Sequence, residues 1–314
     1  MRDDAGIRTP NNGAARFGRS DLLMILAILF WGVNLSVIKI GLREFTPHAF
    51  NGLRFGLASL IYAVWLLAGR TKPALRKGDI LKITGLGLAG VTVYQVFFIH
   101  GLALEQASTS AVIMAMTPIF IALLSSAFRF EKIPWAGWLG IGLSFAGLAV
   151  VMNGPSGSLS WGGIRGDLMI LAANICWAVY TVFGKPILAR MAAVHLAAMT
   201  TIVGTALYLP FAARDLLRGD WREASAMGWA AVVYSAVFAV VISFAIWYAS
   251  VRRVGNAKTG IYGNLIPIFA AVAAAVILSE KLTPRLAAGA AVILFGVYLT
   301  RSGYRLFEKK RSKE

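Results

Sequence analysis

Charge is the scarcest commodity in this chain. Only 14% of its 314 residues are Asp, Glu, Lys or Arg, while 58% are hydrophobic; soluble domains carry roughly a quarter charged residues. So few polar side chains cannot clothe a water-facing surface, which leaves lipid as the solvent. One cysteine, Cys176, excludes an intrachain disulfide, and its apolar neighbours make it a small packing residue. No Cys/His cluster has metal-ligand spacing, so neither a metal nor a cofactor is called for. Gly-x-Ser-x-Gly, His-Glu-x-x-His and paired carboxylates at membrane depth are all missing, which leaves an embedded enzyme without a catalytic group. Nothing resembles a selectivity filter, which disfavours a channel. None of the fourteen acidic residues lies near the middle of an apolar run, so coupling through a midplane carboxylate is not expected. His48, His100 and His195 fall near run ends and are poorly placed for a proton relay.

What is abundant is apolar length. Ten runs, about 22–42, 48–69, 80–103, 106–128, 134–153, 167–187, 193–213, 227–250, 257–279 and 284–301, approach the ~20 residues that span a bilayer. Backbone in lipid must satisfy its own hydrogen bonds, so these runs are expected to be helices. The formal charge of +17 does not point to nucleic acid, because the basic residues sit in short clusters between the runs. Placing the N-terminus inside gives the inner segments 21 Lys and Arg and the outer ones 8, so both termini are expected in the cytoplasm. Residues 1–20 hold four arginines and no signal-type apolar core, and read as a disordered cytoplasmic tail.

The chain repeats itself. Asp21 to Lys39 lies over Asp167 to Lys185 without a gap, with Trp31 on Trp177. Further on, ASTSAVIMAMTPIF (107–120) matches NAKTGIYGNLIPIF (256–269), with Pro118 on Pro267, Glu131-Lys132 on Glu280-Lys281 and Gly147 on Gly296. The expected organisation is a first five-helix repeat over 21–153, a linker over 154–166, a second repeat over 167–302 and a basic cytoplasmic tail over 303–314. Five is odd, so the second copy enters the membrane from the opposite face. The fold expected is an all-α membrane protein of ten transmembrane helices in two inverted repeats, a construction of secondary transporters.

WGVNLSVIK, NGLRF, the Ala-Ser run into MTPIF, FRFEKIP, NLIPIF and LSEKLTP resemble the EamA-type members of the drug/metabolite transporter superfamily. The likeness covers roughly residues 20–302. It implies an inner-membrane exporter of amino acids or other small metabolites; eukaryotic relatives exchange nucleotide sugars or sugar phosphates. The lipid bilayer and a small-molecule substrate are the partners expected, and the oligomeric state is open.

Pro118 and Pro267 interrupt equivalent helices near mid-membrane, each freeing a carbonyl one turn back. They are hinge or site-lining candidates, against a tolerated kink. Trp31 and Trp177 sit at depth, although tryptophan favours the interfaces. With Asn34, Asn174 and Thr181 they either line a polar cavity or bond between helices. Tyr94, Gln95, Thr117, Trp247, Tyr262 and Asn264 complete the substrate-binding candidates. Arg54, about 9 Å below the outer surface, either snorkels or pairs with a substrate carboxylate or phosphate. Glu280-Lys281 and Glu131-Lys132 are expected to cap the helix that follows each. The function expected is alternating-access export of an amino acid or similar amphipathic solute. An organophosphate or nucleotide-sugar exchanger ranks second, since it needs several converging cations.

Overall fold

The computed structural model describes residues 19–69, 73, 75–128, 135–152, 161–219, 221–254 and 256–311. These are helical almost throughout. The unbroken helices are α1 (Arg19–Gly41), α2 (Pro47–Ala68), α5 (Trp135–Met152), α6 (Trp161–Leu188), α7 (Ala193–Arg218) and α10 (Pro284–Arg311). Helix α3 runs as Asp79–Gly87, a π segment Leu88–Val93 and Tyr94–Leu104; α8 runs likewise as Ala226–Tyr234, a π segment Ser235–Ile242 and Ser243–Val254. Helix α4 is Ala107–Met114 followed by Thr117–Ala127, and α9 is Asn256–Tyr262, a 3-10 turn Gly263–Leu265 and Ile266–Leu278. Seven rods are long and apolar enough to cross a bilayer, and shorter apolar helices cover Trp135–Val151, Gly263–Leu278 and Pro284–Leu299. Leu67, Val272, Val276 and Phe295 stand more than half exposed on the outer wall, where lipid, not water, meets them.

The helices pack as an exchange-symmetric set. Helix α1 lies on α9 and α8, while α6 lies on α4 and α3; α2 pairs with α7, and α5 with α10. Advancing every number by five maps this list onto itself. The pairs at the axis are antiparallel. Along α2 and α7, Thr46 meets Asp215, Asn51 meets Tyr208, Ser59 meets Thr205 and Trp65 meets His195. One end of the bundle carries Asp21 and Asp79 with Arg190; the opposite end carries Glu44 with Ser225 and Glu280 with Ser108. The α1 start and the α6 end share a side, so the two five-helix units are inverted. Glu131 and Lys132, in the link 129–134, lie outside the described residues.

Small residues allow the closest approach. A Cβ on Gly147 would meet Ile293 N at 2.8 Å, and one on Gly296 would meet Gly140 O at 2.5 Å. With little hydrophobic drive between helices in lipid, such contacts carry α5 onto α10. Boundaries differ from the sequence reading at several ends: α6 begins at Trp161, α7 reaches Arg218 and α10 continues to Arg311. Glu280 does cap a helix, but not the next one. Its carboxylate accepts from Ala107 N (2.9 Å), Ser108 N (3.1 Å) and Ser108 Oγ (2.6 Å), closing the start of α4. Helix α10 is capped instead by Thr283, whose Oγ1 accepts from Leu286 N at 3.2 Å.

Candidate functional site

At the axis, the inverted units line a cavity that is partly continuous with solvent. Repetition makes its centre. Trp31 of α1 and Trp177 of α6, equivalent residues, meet edge to face with ring centroids 5.5 Å apart. Trp247 of α8 closes the triangle at 5.3 and 5.8 Å. Phe244 and Tyr94 stand 5.1 and 5.4 Å from Trp177. Aromatic pairs in such geometries add about 0.5–1.5 kcal/mol each beyond their area.

The π segments aim this box. Where an i→i+5 turn displaces backbone carbonyls, side chains of the other unit reach them. The Trp31 indole N–H donates to Ala239 O at 2.8 Å, and the Tyr62 hydroxyl to Val241 O at 2.7 Å. Beyond the π segment of α3 come Tyr94 and Gln95; beyond that of α8 come Ser243 and Phe244.

The break in α4 supplies the polar wall. Pro118 has no N–H, so Met114 loses the donor four residues on. The Thr117 hydroxyl takes that carbonyl at 2.7 Å and lies 3.1 Å from Asn174 Oδ1. Asn174 Nδ2 donates to Ile113 O at 2.9 Å. Asn34 accepts from Ser235 Oγ at 2.6 Å. These polar groups are already paired, which is what a group at membrane depth requires.

Arg54 lies at the cavity wall and is 2% exposed. It does not snorkel. Its Nε donates to Asn51 Oδ1 and its Nη2 to Gln95 Oε1, each at 2.7 Å. Phe50, Phe55 and Phe98 stack around the guanidinium at 5.1–5.9 Å. Neither hydrogen-bond partner is a carboxylate. Insertion scales put a central arginine at about 2.5–3.5 kcal/mol, and two neutral amides with three ring faces offset part of it. Asn51 escaped the sequence reading, although it stands one turn before Arg54 on the same helix face. Phe98 did too, one turn beyond Tyr94.

The structure therefore gathers Trp31, Asn34, Arg54, Tyr94, Gln95, Thr117, Pro118, Asn174, Trp177 and Trp247 around one cavity. Four other candidates stand off it. Thr181 lies behind the box, accepting from Trp247 Nε1 at 3.4 Å. Tyr262 turns toward one end of the bundle and donates to Asp21. Asn264 and Pro267 sit behind Gly263 and Ile266, which take the lining positions. The 3-10 turn rotates the break in α9 away from the register that periodicity alone gives.

Comparison with known proteins supports a transport fold. A model of the EamA-like transporter family matches residues 18–153 and again 164–302. Two uncharacterized transporters of Archaeoglobus fulgidus are 28% identical over 88% of this chain and 97% of their own length, and 30% identical over 90% and 97%. A probable terminal-alkyne amino-acid exporter of Streptantibioticus cattleyicolor is 28% identical over 88% of this chain and 91% of its own. A solved structure titled only as a crystal structure of a protein superposes with a TM-score of 0.67 at 22% identity, covering 91% of this chain and 98% of that one.

Proposed function

Because the chain belongs to the EamA-like transporter family, and so is a multi-pass membrane transporter and not an enzyme, we propose that it exports an amino acid or similar small amphipathic carboxylate. The observation that carries this reading is Arg54. A buried guanidinium without a carboxylate partner and the Trp31–Trp177–Trp247 box line the same cavity. An anionic head on the first and an apolar body on the second describe such a solute, since charge-assisted bonds to a buried arginine are the strong ones. A phosphate ester or nucleotide sugar fits less well, because Arg54 is the single cation among the described lining residues. The probable amino-acid exporter among the relatives agrees with the same class.

Alternating access then consists of the two inverted units rocking about the shared tryptophans, with the breaks at Pro118 and Pro267 as hinges. The excess of basic residues in the segments on one side supports a cytoplasmic position for Asp21, Asp79 and both termini, in the cell inner membrane. Proteoliposomes holding the purified protein and loaded with a labelled amino-acid panel test the reading. Counterflow of at least one neutral amino acid, with glucose 6-phosphate not competing, is the expected result. Ion conductance without solute movement, or phosphate-ester counterflow alone, overturns it. A cytoplasmic reporter fused to the C-terminus should be active.

A further inference from the structure

Away from the aromatic box, an unbroken line of hydrogen-bonding groups runs from the end of the bundle that carries Glu44 and Glu280 to the Arg54 cradle. His100 Nε2 lies 3.1 Å from His48 Nε2. His48 Nδ1 lies 2.9 Å from the Tyr208 hydroxyl. That hydroxyl also accepts from Asn51 Nδ2 at 3.4 Å, and Asn51 Oδ1 holds Arg54 Nε. The two histidines are half-buried at the start of α2 and near the end of α3, while Tyr208, Asn51, Arg54 and Gln95 are buried. We propose that the His48–His100 pair is a proton-binding site whose occupancy is passed through Tyr208 and Asn51 to Arg54, so that the transporter binds its carboxylate solute together with a proton. The coupling half of this statement rests on the reading of Arg54 given above; the proton site does not.

Counting hydrogens fixes what one proton does. The bridge between the two Nε2 atoms needs one hydrogen. In the neutral pair the other hydrogen is on either Nδ1. Because Tyr208 already accepts from Asn51, the better arrangement leaves His48 Nδ1 bare, and the tyrosine hydroxyl donates to it. Add one proton and keep the bridge: both Nδ1 atoms now carry hydrogen. His48 Nδ1 must then donate to Tyr208, and the tyrosine hydroxyl reverses from donor to acceptor. Its oxygen now serves two donors, and Asn51 Nδ2, which already donates to Gln95 O at 3.2 Å, shifts further onto Gln95 Oε1, its partner at 3.5 Å. That oxygen is the acceptor for Arg54 Nη2. Sharing it loosens the grip on the guanidinium and leaves its N–H groups freer for a solute carboxylate. A second proton would break the bridge, since two facing N–H groups repel, so the pair takes its protons in two separated steps.

Charged and titratable groups face the pair from three helices besides its own residues. From α7 come Tyr208 and Asp215; Asp215 acts on His100 electrostatically and accepts from Thr46 Oγ1 at 2.5 Å. Arg54 lies six residues along α2 and Tyr94 six residues back along α3. From α1, Lys39 donates to Leu102 O and Ala103 O beyond His100, and Glu105 and Asp167 lie past it at the same end. By linkage, a proton that tightens solute binding is itself tightened by the solute to the same factor.

The chain has three histidines, which makes ring 15N NMR of the full-length protein in detergent decisive. His48 and His100 are expected to titrate jointly, in two separated steps, and His100→Gln to leave His48 with a single one. Both rings titrating independently overturns the proton site. Calorimetry with L-leucine as probe, in two buffers of unlike ionisation heat, is expected to show proton uptake on binding and at least threefold tighter binding at pH 5.5 than at pH 8. In Tyr208→Phe the pair still titrates but the pH ratio falls to about one; an unchanged ratio there overturns the path through the hydroxyl. If L-leucine binds at neither pH while the rings titrate as a pair, the solute reading fails and the proton site stands.

Discussion

At Pro118 the carbonyl of Met114, left without its usual donor, is taken by the Thr117 hydroxyl, and Asn174 from the other unit takes Ile113 beside it. At Pro267 the equivalent carbonyl, Gly263, is taken by the amide of Ile266 within a 3-10 turn. The same proline in the same place thus has two remedies. One recruits polar side chains and leaves them at the cavity; the other uses backbone and leaves Ile266 there. Across the molecule the pattern holds. The first unit brings Arg54, Gln95, Asn34 and Thr117 to the cavity beside Trp31, Tyr94 and Phe98; the second brings one amide, Asn174, beside Trp177, Phe244, Trp247 and Ile266. A symmetric scaffold therefore carries a lopsided site, as a solute with one charged end and one apolar end requires.

The largest break in that asymmetry is at Arg54. The eighth residue of α2 is Arg54 and the eighth of α7 is Thr200, whose hydroxyl bonds back to Leu196 O at 2.7 Å. Charge-assisted hydrogen bonds are worth ~1.5–3 kcal/mol, so Arg54→Gln is expected to weaken solute binding about 10- to 100-fold. Thr200→Val should leave it within about twofold. Equilibrium binding of the transported solute to both variants decides whether the polar end is confined to one unit.

The two helix breaks give the next contrast. Asn174→Leu strips Ile113 O of one of its two donors, leaving Met116 N at 3.0 Å, and removes a neighbour of Thr117, so it is expected to cost about one hydrogen bond, ~0.5–1.5 kcal/mol. Asn264 Oδ1 is buried without a partner, so Asn264→Leu should be neutral or stabilising. Thermal unfolding in detergent compares them; equal losses would mean that both breaks depend on side chains.

How much of this was legible beforehand follows from which signals are periodic. The repeat of Asp21–Lys39 at Asp167–Lys185 and the pairing of Pro118 with Pro267 carry helix number and inversion, since both are statements about spacing. The mid-depth Trp31, Trp177, Asn174 and Arg54 were visible because each is expensive in lipid. The π segments were not, because Leu88–Val93 and Ser235–Ile242 have no residue that announces an i→i+5 turn. Their rotation is what turns Phe244 and Trp247 inward, and the 3-10 turn is what hides Asn264. The histidines show the same limit: His48 and His100 are 52 residues apart in the chain, and only the packing of α2 against α3 brings the rings together.

The twin tryptophans offer a smaller contrast. Trp31 spends its indole N–H on Ala239 O, which the π segment exposes, while the structure shows Trp177 held chiefly by ring contacts. Trp31→Phe should therefore cost about 1 kcal/mol more stability than Trp177→Phe, one buried hydrogen bond. Denaturation midpoints that coincide would show that ring packing alone fixes both.

The smallest expected effect compares the two ends of the bundle. At one, Asp79 holds the Arg190 guanidinium and raises its pKa above the ordinary value, so this ion pair does not titrate near neutrality. At the other, burial and then the neighbouring Asp167 push the Glu105 carboxyl up to about 7, with Lys39 pulling the other way. A raised carboxyl means that the folded chain keeps a proton that the unfolded chain, at the ordinary value of 4.5, has already lost. Stability must then fall as pH rises between about 4.5 and 7, and level off on either side. Glu105 Oε1 has no hydrogen-bond partner, so Glu105→Gln removes the titration without breaking a bond. Melting temperatures in detergent from pH 4 to pH 8 should decline across that window in the parent protein and stay flatter in the variant. An identical decline in both would assign the pH sensitivity to other groups at that end, the neighbouring Asp167 among them.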